Sequence, residues 1–319
     1  MTVNLVLDEK PARQDQKLNT LTKYVQKYPQ GWKKRLELAD LLYSLGSWHQ
    51  AIEQYQQVIE RQPQLLAVRL KLGAIWQLIG KTAEAIEVYQ SALTLSYQEA
   101  TRQHIYGLMA VCQGESQKAI IAFESAAALE PENPSHWLAL GQVEMQKQNV
   151  VAALQAFEQI LLLQPDDLVA LMHSYDALIA LKNWQAAEEQ LQKLIALAPK
   201  DIGVMIRQAD RRCQQRLVFG AEGKQTKRLI SAVLQQAPDA VEAHKLLAYY
   251  YIFRGNYDKG LGVLAQFTEQ HPNNPSGWHY YKQCLLDTGK DPAASEGLTQ
   301  KIQKNPSLGV LSIEQEKSK

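Results

Sequence analysis

Residues 134–167 read PSHWLALGQVEMQKQNVVAALQAFEQILLLQPDD, and this stretch decides the fold. In its first half Trp137, Leu140, Gly141 and Glu144 recur at spacings of three and four, which puts them on one face of a helix. Ala153, Phe157 and Ile160 do the same in the second half. Gln148-Asn149 marks a turn between the two helices, and Pro165 stops the second one. Neither helix could bury its apolar stripe alone, so the unit needs neighbours built like itself.

The rest of the chain supplies them. Pro29, Pro63, Pro131, Pro165 and Pro199 fit a single 34-residue spacing, with Tyr97 standing where a proline would complete the series. Pro238, Pro272 and Pro306 continue it after one interval five residues longer. A small residue keeps the same phase as Ala51, Ala85, Ala119, Ala153, Ala187, Gly260 and Ala294, with Thr226 the exception. Four positions on stands a large apolar one: Tyr55, Tyr89, Phe123, Phe157, Leu191, Ile230, Leu264 and Leu298. Gly46, Gly80, Gly114, Gly255 and Gly289 fall in the turns, where a helix ends in a left-handed residue. An alanine suits the closest approach of two helices, and the bulky residue one turn later fills the space between repeats.

This pattern resembles the tetratricopeptide repeat family, whose period and Trp, Leu-Gly, Tyr, Ala, Phe, Pro signature are found here. Trp137 and Trp278 match the tryptophan, Leu72-Gly73, Leu140-Gly141 and Leu247-Ala248 the Leu-Gly pair, and Tyr251 the tyrosine. The resemblance implies an all-α fold, a right-handed α-solenoid of about eight 34-residue helix-turn-helix repeats. They begin near Trp32, Leu66, Ala100, Pro134, Leu168, Ile202, Val241 and Pro275, so the superhelix is expected over 32–308. Residues 1–14 are expected to be disordered, 15–31 to form a capping helix through Leu18, Leu21, Tyr24 and Val25, and 309–319 to be a tail. Repeat five replaces the Leu-Gly pair by Ser174-Tyr175.

Composition narrows the function classes. The 34 basic and 33 acidic residues nearly cancel, which removes any whole-molecule attraction to nucleic acid or anionic lipid. Cys112, Cys213 and Cys284 lie in predicted helices of different repeats and read as small buried residues in a reducing compartment. The apolar run Val3–Leu7 is broken at once by charge, and no run is long enough to span a bilayer, so the expectation is cytoplasmic. No two of the seven histidines sit three or four apart as metal ligands on one helical face. A Gly-rich phosphate loop and a nucleophile elbow are both missing, and Asp166-Asp167 reads as a helix cap. The chain is thus expected to be no enzyme, with no catalytic residues, cofactor or metal.

What remains is binding. In the resembling family the first helices of successive repeats line a concave groove that holds peptides or partner helices. Carried onto this chain, the groove contains Lys33, Leu36 and Asp40; Ala67, Leu70, Ala74 and Gln77; Thr101, His104 and Leu108; Ser135, Leu138, Gln142 and Met145; Val169, Met172, Asp176 and Ile179; Gly203, Ile206 and Asp210; Glu242, Lys245, Tyr249 and Ile252; and Ser276, His279 and Gln283. Leu138, Met145, Met172, Ile179 and Ile206 would make an apolar strip for a partner protein's helix or extended segment. Members that grip a chaperone's C-terminal carboxylate use lysines, asparagines and an arginine, whereas here Lys33, Leu36, Asp40, Ala74, Thr101 and His104 occupy those places. The clamp is therefore absent from the first three repeats.

Repeat six, 202–240, is irregular. Its five-residue excess is expected as a loop around Val218–Gly223, flanked by Arg207, Arg211, Arg212, Arg216, Lys224, Lys227 and Arg228. Lys200 to Arg228 holds eight basic and three acidic residues. An alternative function follows, binding of an acidic or phosphate-bearing ligand at this basic patch. Nucleic acid is disfavoured because Phe219 is the one aromatic interleaved with the charges.

Overall fold

The computed structural model describes residues 9–289, in which sixteen helices and no strand occur. They are α1 (Glu9–Lys27), α2 (Trp32–Ser44), α3 (Trp48–Arg61), α4 (Leu66–Leu78), α5 (Thr82–Leu93), α6 (Glu99–Cys112), α7 (Ser116–Leu129) and α8 (Pro134–Gln146). Then come α9 (Val150–Leu163), α10 (Leu168–Ala180), α11 (Trp184–Leu197), α12 (Ile202–Gln214), α13 (Gly220–Gln236), α14 (Val241–Phe253), α15 (Tyr257–Gln270) and α16 (Pro275–Thr288). From α2 onward they pair into the helical hairpins of an α-solenoid. Two compact units divide between Pro165 and Asp166. Helix α1 starts at Glu9, earlier than the expected capping helix, and ends at Lys27; Leu21 and Val25 are buried against the first hairpin. The second helix expected in repeat eight and the tail at 309–319 lie outside the described residues.

The sequence columns correspond to physical devices. Ala51, Ala85, Ala119, Ala153, Ala187 and Thr226 are fully buried, and so are Tyr55, Tyr89, Phe157, Ile230 and Leu264 in the next column. Gly141 exists because Phe157 lies on it: a methyl group there would overlap the ring, and the pairs Gly73–Tyr89 and Gly107–Phe123 repeat the arrangement. Repeat five exchanges the two volumes. Tyr175 takes the glycine position and Leu191 the aromatic one, and both are buried.

Every described hairpin turn uses a left-handed residue in the same register, and the corner of repeat six adds a second at Gly220 (φ 58°). Besides the five glycines, Gln148 (φ 62°), Lys182 (φ 58°) and Arg216 (φ 59°) adopt it. The proline ruler also has a bonding role, because the carbonyl of a junction proline accepts a hydrogen bond from the side chain six residues on. Trp137 and Trp278 donate through Nε1 to Pro131 and Pro272, both at 2.8 Å. Arg35 and Arg69 do so to Pro29 and Pro63, so arginine stands in for the tryptophan in the first two repeats.

The five extra residues of repeat six do not form the expected loop. Gly220–Gly223 is the first turn of α13, which runs to 17 residues, and the connection shrinks to 215–219. Thr226 holds this corner by donating to the Leu217 carbonyl at 2.6 Å, while Arg254 Nη1 donates to the Val218 carbonyl at 2.7 Å. Val218 is thereby fully buried.

Candidate functional site

Within the second unit, the first helices α10, α12 and α14 stand side by side. Asp167 caps α10 by accepting from the Ala170 N–H at 2.7 Å, and Asp201 caps α12 by accepting from Val204 at 3.1 Å. Their apolar stripes, including Leu171, Leu178, Val204, Met205 and Leu246, face the core. Helical periodicity then turns Asp176, Ile179, Ile206, Arg207, Asp210 and Lys245 to the other side, where they are half-buried. Together with Tyr175, Gly203, Glu242 and Leu246 they line a cleft of about 470 Å³.

Charge and apolar surface alternate across it. Arg207 grips Asp176 with two hydrogen bonds, Nε to Oδ1 at 2.9 Å and Nη2 to Oδ2, and its Nη1 reaches Met172 Sδ at 3.3 Å. Such a two-pronged pair fixes both side chains. Burial pushes the Asp210 carboxyl above its ordinary range, opposed by Lys245 and by a hydrogen bond from Gln214 at 2.6 Å. The Lys245 ammonium lies 5.0 Å from the Tyr280 ring. With Arg207 and Asp176 cancelling, Asp210 and Glu242 outnumber Lys245 by one negative charge.

One polar atom here is not provided for. The Tyr175 hydroxyl is buried, with the residue 3 % exposed, and has no hydrogen-bond partner among the described residues. Burial first, and then the negative charge of Asp210, hold its phenol well above the ordinary tyrosine range. Buried hydroxyls are nearly always bonded, so this one is an exception.

The residues expected to face a groove divide. Asp176, Ile179, Gly203, Ile206, Asp210, Glu242 and Lys245 share the cleft. Met172 stands beside it, tied to Arg207. Tyr249 is engaged elsewhere, donating its hydroxyl to Asp287 Oδ2 at 2.7 Å. Leu138, Gln142 and Met145 lie on α8 in the first unit, Gln142 exposed and the other two half-buried. Tyr250, not Tyr251, is the buried member of the tyrosine run. The cleft residues that sequence reasoning missed are Tyr175, whose signal was a bulky residue in a small-residue column, and Leu246, which carries no signal apart from the packing stripe.

Nor is the basic stretch of repeat six one patch. Arg207 belongs to the cleft, Arg211 pairs with Glu188 at 3.3 Å, and Arg212 pairs with Glu222 at 2.6 Å. Helical phase separates these from Lys224, Lys227 and Arg228, which line a different depression. Two histidines expected as groove neighbours or bystanders meet in the first unit: His136 Nδ1 lies 3.0 Å from His104 Nδ1, and burial lowers His104 to about 4. No group of three or more potential metal ligands occurs among the described residues, and no described helix is long and apolar enough to cross a membrane.

A family model described as tetratricopeptide repeat matches residues 36–100 and 109–168. No curated protein matches the chain. Among solved structures, a tetratricopeptide repeat protein from Parabacteroides merdae ATCC 43184 is similar at 18 % identity and a TM-score of 0.53, covering 80 % of this chain and 98 % of that one. The anaphase-promoting complex hetero-tetramer Cut9-Hcn1 gives 15 % identity and a TM-score of 0.68, over 93 % of this chain and 56 % of that chain. At these identities the likeness concerns the fold.

Proposed function

The chain belongs to the tetratricopeptide repeat family, and from that premise we propose that it is a non-catalytic scaffold or assembly adaptor holding a partner protein's peptide or helix in the α10–α12–α14 cleft. Repeats of this family generally mediate contacts between proteins. The observation that carries the reading is the cleft itself, where Ile179 and Ile206 stand half-buried among Arg207, Asp210 and Lys245 from three successive first helices. A bound segment would cover the two isoleucines and meet the charges of Asp210 and Lys245. The locked Arg207–Asp176 pair sets the cleft's shape in advance, which reduces the ordering needed on binding.

Selection from a displayed peptide library on the purified chain tests this. The wild type should enrich a defined motif, and Ile206→Glu should lose it while keeping its helicity. Equal enrichment by both proteins would remove the cleft from consideration.

A further inference from the structure

On another side of the second unit, side chains distant in sequence build a surface of a different character. Helix α13 packs through Gly223, Thr226, Ile230 and Val233, which leaves Lys224, Lys227 and Arg228 exposed. These three, with Ser231, Gln235 and Tyr250, line a depression of about 500 Å³ that contains no carboxylate.

Aromatic residues from α14 and from the corner before α13 extend this surface. Each lies under a cation. Lys227 and Lys259 sit 5.9 and 4.6 Å from the Tyr251 ring, and Arg216 sits 3.5 Å from Phe253. Arg254 lies 5.6 Å from Phe219 and 5.4 Å from Tyr250. The expectation that Phe219 is the one aromatic among these charges is thus corrected, because folding brings three more. Arg216, Lys224, Lys227, Arg228, Arg254 and Lys259 are all exposed. Glu222, in the same corner, is taken by Arg212.

We propose that this cationic, aromatic-backed corner docks an acidic, extended segment of a partner protein. Six exposed positive charges outnumber the two acids beside them, Glu222 and Asp258, and complement a run of Glu and Asp, and the rings hold the long basic side chains in place, which lowers the entropy lost when they close on an acid. Ser231 and Gln235 add neutral hydrogen-bonding groups inside the depression. The ring arrangement selects peptide over nucleic acid. Single-stranded nucleic acid is held by bases stacking on open ring faces, and here cations already occupy those faces.

The surface is separate from the cleft of α10, α12 and α14, so one can fail without the other. Fluorescence anisotropy with a labelled Glu/Asp-rich peptide on the whole chain provides the test. The wild type should bind it with affinity that weakens as salt rises, and Lys224→Glu with Arg228→Glu should lose about tenfold or more, since like charges then face each other. Ile206→Glu, in the cleft, should bind the acidic peptide as the wild type does. Should the double charge reversal lose helicity, Lys224→Gln with Arg228→Gln carries the same comparison. Absence of peptide binding, retention of affinity by the folded double variant, or tighter binding of oligo(dT) than of the peptide would each overturn the proposal.

Discussion

Replacing Tyr175 by phenylalanine should make the free chain more stable. A buried hydroxyl that makes no hydrogen bond costs about 1–3 kcal/mol, because its interaction with water is lost and nothing replaces it. Phenylalanine keeps the ring of a side chain only 3 % exposed and removes the unbonded atom alone. The void left behind is about one oxygen, roughly 10–15 Å³, which at about 24 cal/mol per Å³ takes back ~0.3 kcal/mol. The net gain is about 1–2 kcal/mol. Urea unfolding followed by far-ultraviolet circular dichroism would show it as a higher midpoint at unchanged slope. A peptide selected on the wild type should bind Tyr175→Phe as tightly, because the hydroxyl presents almost no surface for it to reach. If Tyr175→Phe lowers stability by about 1 kcal/mol, the hydroxyl is bonded in the free chain.

Two further perturbations probe the repeat itself. Gln148→Gly and Lys182→Gly should each stabilise the chain by about 0.5–1 kcal/mol, since left-handed backbone costs an L-residue about 1–2 kcal/mol and glycine's greater freedom when unfolded returns part of that; an unchanged urea midpoint in both would show that those turns carry no strain. Acidification should weaken the fold through His104. An unfolded histidine takes up its proton near pH 6.5, whereas burial lets the folded residue do so only near 4, so stability present above 6.5 is lost as pH falls through that window. The loss should be on the order of 2–3 kcal/mol and should shrink in His104→Gln, measured by urea midpoints at neutral and mildly acidic pH; equal pH dependence in both proteins would refute it.

The hairpins, their order and the buried Ala and aromatic columns were legible because a 34-residue period states each packing constraint many times over. Groove-facing positions were legible for the same reason, since they are what the packing phase leaves over, and seven of them do meet in one cleft. Three things were not. The destination of the basic run depended on the helical phase of two helices and on which acids stood opposite, and Glu188 and Glu222 are not marked as partners by any spacing. The loop expected at Val218–Gly223 became helix because Thr226 and Arg254 satisfy the corner's carbonyls, and Arg254 comes from the following repeat. Tyr249 looked free until Asp287, a repeat away, accepted its hydroxyl.

These misses share a cause that also explains where binding surfaces arise. A residue in step with the period is explained by packing and has nothing left to offer a partner. One that departs from it must be accommodated by an exchange elsewhere, and the exchange is seldom complete. Leu191 gives up the volume that the Tyr175 ring needs but supplies no acceptor for its hydroxyl. The five residues added before α13 are pinned into the helix, yet Phe219 stays 57 % exposed with Arg254 beside it. Both proposed surfaces are therefore built around the remainders of imperfect compensation. A change that restores the period at either place, such as Tyr175→Gly with Leu191→Phe, should preserve the fold while removing the unbonded hydroxyl.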